Sequence, residues 1–324
     1  MRVVILRTDR LGELVLTLAV AEALRQADAR ASIAMAVQAR YAELVALHPA
    51  VQQVMPLAGG PFGWRQGRWL ARALRQGRFD VAIVANPHQW LHWAVWRAGI
   101  PRRIGYARKW DWCLTDRVPD TKRESLRHDL EWDLELLKPL GITPQRPSLS
   151  LPISEPLRAQ ARARVSGAGT PSSAPLIAVH PWASTPEKRW PAGSFQALAR
   201  ALAAESAASV LVLGGPEHVD EARAFCQEVD TAINLVGSLS PVELAACLHL
   251  CALLISNDSG PVHVAAAVGT PTITLFGSPH PWQGPIRWRP WGDGHVVLHR
   301  VPIDAIRVED VLEAARRRVP ACAR

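Results

Sequence analysis

The residues with the most chemical potential lie between Leu253 and Gly277, in the stretch LLISNDSGPVHVAAAVGTPTITLFG. A buried run, Leu253 to Ser256, stops at the polar turn Asn257-Asp258-Ser259-Gly260, and Pro261 opens a short apolar helix over Val262 to Val268. Gly269 ends that helix before a second apolar run, Pro271 to Phe276. Proline just inside a helix start and glycine just past its end are what helix termini favour. The first N–H groups of a helix lack intrahelical partners and carry the positive end of its dipole, so the turn can receive a diphosphate. Taken alone, Asp258 and Ser259 would serve equally well as helix caps.

Three other places put functional groups where a strand runs out. Arg7-Thr8-Asp9-Arg10-Leu11-Gly12 follows the apolar strand Val3 to Leu6 and leads to Glu13, which opens a helix. A first-turn Glu is favoured by the helix dipole in any case, but here its carboxylate also stands at a sheet edge. The loop HPWASTPEKRWP, His180 to Pro191, carries Ser184 and Lys188 after the strand Leu176 to Val179. A lysine there is either an ordinary surface residue or a group that offsets charge growing on a departing phosphate. Gly214-Gly215-Pro216-Glu217 ends the strand Ser209 to Leu213, again at the edge where open α/β sheets bind ligands.

The elements that must hold these groups alternate. After the helix from Glu13 to about Asp28 come a strand near Ser32 to Val37, a helix from Ala39 to Leu47 and a strand over Val51 to Leu57. Gly59-Gly60-Pro61 breaks that strand; a basic helix, Trp64 to Arg78, a buried strand, Val81 to Ala85, and a Trp-rich helix, Gln89 to Ala98, follow. Such βαβα order describes a doubly wound parallel sheet. Arg117 to Leu137 starts basic and becomes an amphipathic helix. The Gly/Pro/Ser stretch 167–175 is the one flexible connection, so two domains are expected, residues 1–165 and 166–324, with the last helix able to pack back on the first domain.

The length of 324 residues suits two ordinary domains, and 48% hydrophobic content supplies ample core. No signal peptide precedes Val3 and no uncharged apolar run of membrane-spanning length occurs. The five cysteines lack CxxC or zinc spacing, which fits a reduced, cytoplasmic setting and no bound metal. Charge is uneven: residues 1–150 hold 22 Lys and Arg against 14 Asp and Glu, whereas residues 151–324 hold 15 of each. The whole excess of +8 therefore sits in the first half and points that half at an anionic partner. Arg65, Arg68, Arg72 and Arg75 share one helix face and Trp64 and Trp69 flank it, a combination suited to an anionic bilayer surface as well as to nucleic acid. As a solvated surface and core indoles the same residues would need no partner.

The string Asp258-Ser259-Gly260, with His263 three residues after the glycine, resembles the donor-binding motif of glycosyltransferase family 9, the bacterial lipopolysaccharide heptosyltransferases. The resemblance covers most of the chain and is strongest over 3–20, 176–191 and 251–279. It implies the GT-B architecture, two Rossmann-like domains facing across a cleft. Family members carry Gly-Asp where this chain has Gly12-Glu13, and that Asp is proposed as catalytic base; the resemblance passes the role to Glu13. Through the shared Lys-x-Trp-Pro ending it makes Lys188 the second catalytic group, on the phosphate side of the donor. It makes Ser184, Asp258, Ser259, Gly260 and His263 donor-binding residues, and Glu217, from its place at the sheet edge, is expected to join them. Acceptor contacts are expected from Arg10, Arg65, Arg68, His88, Arg117, Lys122, Arg123 and Arg127.

The implied activity is inverting, metal-independent transfer of heptose from ADP-heptose to an inner-core acceptor of the Kdo-lipid A type. No cofactor is expected beyond the ADP-sugar substrate. The protein should be a monomer that binds no nucleic acid, peripheral at the cytoplasmic face of the inner membrane. Two other classes use the same residues: a nucleotide-sugar epimerase or isomerase on this fold, and a non-catalytic anion-binding protein.

Overall fold

A computed structural model describes residues 1–60, 62–122, 127–143, 147–168, 175–206, 208–229 and 232–319. The chain divides into two compact units, Met1–Leu149 and Ser150–Arg324. In the first, the strands are β1 (Arg2–Leu6), β2 (Ser32–Gln38), β3 (Gln53–Leu57), β4 (Val81–Val84), β5 (Arg102–Tyr106) and β6 (Asp116–Val118). Its helices are α1 (Leu11–Ala27), α2 (Ala42–Ala46), α3 (Trp64–Gly77), α4 (Gln89–Arg97) and α5 (Asp129–Glu135). The second unit opens with α6 (Glu155–Gly167) and holds β7 (Leu176–His180), β8 (Ser209–Val212), β9 (Ala232–Asn234), β10 (Leu253–Asn257), β11 (Thr272–Phe276) and β12 (Val296–His299). Between and after these strands come α7 (Ala192–Ser206), α8 (Val219–Gln227), α9 (Pro241–Leu250), α10 (Gly260–Ala267), α11 (Pro285–Trp288) and α12 (Val308–Arg316).

Each unit is built on a six-stranded sheet, ordered β3-β2-β1-β4-β5-β6 in the first and β12-β11-β10-β7-β8-β9 in the second. All pairings are parallel. Counted within its own unit, the second sheet repeats the order of the first, and that order is the Rossmann one. Strand order reverses between β1 and β4 in one unit and between β7 and β10 in the other. The central strands are buried on both faces, which is why they read as unbroken apolar runs: Val3 to Leu6, Val81 to Val84 and Leu253 to Ile255 are all fully enclosed.

Three expectations change. The domain boundary falls at 149/150, before the Gly/Pro/Ser stretch, because α6 packs on α9 and Arg164 reaches the Ser238 carbonyl. A Gly/Pro-rich segment marks a chain that bends freely, and here that bend lies inside the second unit. The last helix, α12, buries Val311, Leu312 and Ala315 in the core of its own unit with Ile177, Phe195 and Leu275. Finally, four strands lie where none was expected: β9 and β12, at the edges of the second sheet, and β5 and β6 in the first. The latter two are short and polar, and their charges are paired along the ladder: Arg102 bonds Asp116 at 3.1 Å, and Arg103 donates to the carbonyls of Cys113 and Ile100. Among the described residues of the stretch Arg117 to Leu137, only Asp129 to Glu135 is α-helical, at one end of the stretch expected to become a helix.

Candidate functional site

In the second unit the groups gather beside the strand-order reversal. β10 ends at Asn257, and Asp258 and Ser259 form the turn into α10. From the neighbouring strand β7 comes the loop that carries Lys188. Its Nζ lies 2.6 Å from Asp258 Oδ2, with both side chains largely buried. Burial pushes the Asp258 carboxyl up from its ordinary value, and the Lys188 ammonium opposes that rise by charge and by hydrogen bonding.

The loop is held by one amide. Asn257, fully buried, donates from Nδ2 to the Pro181 carbonyl at 2.6 Å and accepts the Trp190 N–H on Oδ1 at 3.1 Å. Both ends of the Lys188 loop are thereby fastened to the last residue of β10. Under the turn, Ser259 Oγ lies 3.1 Å from His180 Nδ1 and 3.0 Å from Ser256 Oγ. Burial, helped by the charge of His218, lowers His180 to about 4, so at neutral pH its ring is uncharged and Nδ1 can accept the serine proton.

Of the other donor-site candidates, Ser184 is exposed on the Lys188 loop. Glu217 projects from the turn after β8, with its carboxylate 3.7 Å from His218. The loops around it approach closely: a Cβ at Gly214 would lie 2.7 Å from the Trp182 ring, so glycine is required there. His263 points inward from α10, 3% exposed, with its ring 6.3 Å from that of Trp288.

In the first unit the turn after β1 is built on charge. Arg7, only 3% exposed, donates to Asp9 at 2.7 Å, to the Ala85 carbonyl at 3.3 Å and to both oxygens of the fully buried Asp133 at 3.3 Å. Thr17 donates to Asp133 at 2.5 Å and lies 2.8 Å from the Glu13 carbonyl, which ties Asp133 to the first turns of α1. Lys122 completes the cluster, 3.5 Å from Asp129 and 3.6 Å from Asp133. Asn86 exchanges two 3.1 Å bonds with Thr8, and Gln38 donates to the carbonyls of Thr8 and Asp9. Glu13 sits partly buried on this rigid turn. Its carboxyl is raised, by burial first and by the Asp9 charge second, against the opposing charges of Arg7 and Arg10.

The acceptor-side candidates do not converge on one spot. Arg68 lines a hollow of about 290 Å³ between α3 and α4 with Trp64, Arg72, Arg75, Trp93 and Arg97, and its guanidinium lies over the Trp64 ring. His88 caps α4 and lines a second hollow of about 250 Å³ with Gln89, Arg108 and Lys109. Burial and the Lys109 charge lower the His88 pKa. Arg10 and Arg65 are exposed. Arg117 is turned to the Asp111 carbonyl and Arg127 to Glu135. Lys122, expected as an acceptor contact, is instead bound to Asp129 and Asp133, because those buried carboxylates need a counter-charge. Arg123 lies outside the described residues. Sequence reading passed over Arg7, Asp133, Asn257, His180, Arg108 and Lys109. Only the polar turn residue Asn257 carried a local signal, since the others acquire their neighbours through strand order. Among the described residues no three His, Cys, Asp or Glu gather to hold a metal.

Two Rossmann-type parallel sheets, one in each unit, are the architecture of the GT-B fold class. The model of glycosyltransferase family 9 (heptosyltransferase) matches residues 68–306. The chain belongs to this family and is a glycosyltransferase. Lipopolysaccharide heptosyltransferase 2 of Escherichia coli K12 is 26% identical over 299 residues, covering 87% of this chain and 84% of that protein. The fold is shared with a family 9 glycosyltransferase from Veillonella parvula (TM-score 0.88, 24% identity, 98% and 97% of the two chains covered). It is also shared with the E. coli ADP-heptose lipopolysaccharide heptosyltransferase II (TM-score 0.86, 22% identity, 98% of each chain covered).

Proposed function

We propose that the protein transfers heptose from ADP-heptose to an inner-core lipopolysaccharide acceptor, with inversion and without a metal. The observation that carries this reading is the Lys188–Asp258 pair, 2.6 Å apart at the reversal point of the second sheet. A lysine at the start of α10 places one positive charge and one helix dipole where a diphosphate would sit. The name of the E. coli relative and the ADP-heptose in the name of the solved transferase support donor and acceptor class.

In the proposed reaction the acceptor hydroxyl oxygen attacks the anomeric carbon from the face opposite the phosphate. The carbon–oxygen bond to the phosphate breaks, and its electron pair leaves with ADP. Lys188 and the α10 N–H groups take up the charge that grows on the leaving diphosphate. Glu13 receives the acceptor proton; a carboxylate made more basic by burial and by Asp9 is better matched to that task. With one ammonium and one helix dipole on the leaving side, the charge is compensated by the chain's own residues. Asp258 holds Lys188 in place.

The arginines and indoles of α3 and α4 suit an anionic glycolipid and the headgroup layer around it. No helix among the described residues is long and apolar enough to cross a membrane. Peripheral binding at the cytoplasmic face of the inner membrane, as a monomer and without nucleic acid, completes the reading.

The test is a transfer assay with ADP-heptose and core-truncated lipopolysaccharides, comparing wild type with Glu13→Gln. The variant should bind ADP normally and transfer about 10²- to 10⁴-fold more slowly, the usual size of a general-base contribution. Equal rates would remove Glu13 from the reaction. Turnover of ADP-heptose to an isomer with no acceptor present would replace transfer by epimerisation.

A further inference from the structure

The loop after β11 carries an aromatic pair with no part in the arrangement described so far. The rings of His280 and Trp282 are stacked, 4.8 Å apart and 13° from parallel, and Trp282 is 44% exposed.

The pair is mounted rigidly. Ser278, buried, donates from Oγ to Gln283 Oε1 at 2.9 Å and accepts the His280 N–H at 3.2 Å. The Gln283 N–H returns to the His280 carbonyl at 2.9 Å, and Trp288 Nε1 donates to the Trp282 carbonyl at 3.0 Å. A side chain held by its own backbone turn in this way loses little entropy when a ligand stacks on it.

Its place is beside the phosphate-type turn. β11 pairs directly with β10, and the Asp258 N–H donates to the Leu275 carbonyl at 3.1 Å. At the end of β11, a Cβ at Gly277 would lie 2.7 Å from the Glu187 carbonyl oxygen. The chain leading to His280 therefore abuts the residue that precedes Lys188, and only glycine permits the approach. The loops of β8 and β9 lie beyond β7, on the other side of Lys188 and Asp258.

We propose that the His280–Trp282 pair is the platform for the sugar ring of the nucleotide-sugar donor. This rests on the donor reading of the Lys188–Asp258 site and deepens it. The apolar face of a sugar, lined with weakly positive C–H groups, packs on the negative face of an indole. A ring joined to the terminal phosphate is the part of the donor that reaches the β11 side when the diphosphate lies at α10. The platform separates ADP-sugar from ADP, because ADP has nothing to lay on it.

The experiment titrates ADP and ADP-heptose calorimetrically into wild type, Trp282→Ala and Trp282→Phe, with thermal melts confirming that each is folded. For Trp282→Ala, ADP affinity should stay within about twofold while ADP-heptose binds about tenfold more weakly, the scale of one lost stacking contact. Trp282→Phe should restore most of that loss. Equal weakening of both ligands, or no change in either, overturns the platform. Unchanged donor binding with a raised KM for the lipopolysaccharide acceptor also overturns it, by moving the pair to the acceptor. A wild type that binds neither ligand overturns the donor reading and this inference together, and that control tells the two failures apart.

Discussion

The turn after β1 and the turn after β10 occupy corresponding edges of two sheets with the same strand order, yet they are held by opposite means. Around β1 the fastening is ionic: Arg7, Asp9, Asp129, Asp133 and Lys122, with Thr17 as the link to α1. Around β10 it is a neutral amide, Asn257, and a neutral imidazole, His180, leaving one largely buried ion pair between Lys188 and Asp258. The difference fits the role proposed for each turn. A carboxylate that must accept a proton gains from being partly buried among other carboxylates, which raise its pKa. A turn that must bind diphosphate cannot be surrounded by acids, so its scaffold is made of uncharged groups and its single acid is paired with lysine.

That contrast can be broken most forcefully at Asp133. Replacing it by Ala leaves Arg7 buried without its main counter-charge and should cost about 3–5 kcal/mol of stability, read from the denaturant midpoint. The double change Arg7→Met with Asp133→Leu should cost clearly less than Asp133→Ala alone, and a double variant as unstable as the single one would refute the ionic account. Next comes Lys188→Met, expected to slow transfer about 10²- to 10³-fold and, by leaving the buried Asp258 without its counter-charge, to lower the melting temperature as well. Loss of the lysine should also raise the Asp258 carboxyl further, since burial then acts unopposed. A variant that retains full activity would take the ion pair out of the leaving-group role.

Asn257→Ala removes two bonds that hold the Lys188 loop and leaves buried backbone groups unpaired, at about 2–3 kcal/mol. It should weaken ADP binding while leaving acceptor binding untouched; loss of both would mean general unfolding rather than loop release. The smallest effect is expected from Asp9→Asn. Glu13 must be ionised to accept a proton, and its raised carboxyl places the acid limb of the rate profile above that of an ordinary glutamate. Removing the Asp9 charge lowers the Glu13 carboxyl, so the acid limb should move to lower pH by less than about one unit. A limb that stays in place, or moves upward, would detach Asp9 from Glu13.

Much of the architecture was readable from local pattern. Apolar runs separated by helical periodicity placed eight of the twelve strands, and the turn residues Asn257 to Gly260 announced a helix start; β9 and β12, half-buried strands at the two edges of the second sheet, were not placed. β5 and β6 escaped because their arginines and Asp116 satisfy one another along the ladder, so no apolar alternation appears. The 149/150 boundary escaped because α6 is joined to its unit by packing on α9, which its own mixed composition does not reveal. Lys122 looked like a free cation in a basic stretch and proved to be the counter-charge of two buried acids.

The chemistry at each strand end was therefore determined by sequence alone: Glu13 in the first turn of α1, Lys188 in the loop after β7, and Asp258 before α10 are consequences of neighbouring residues. Which distant groups surround them was decided only by tertiary structure. Arg7 meets Asp133 across 126 residues, and Lys188 meets Asp258 across 70. The reason is physical: local propensity acts within a few residues, whereas the strand order that brings these side chains together is selected by burying the whole sheet at once.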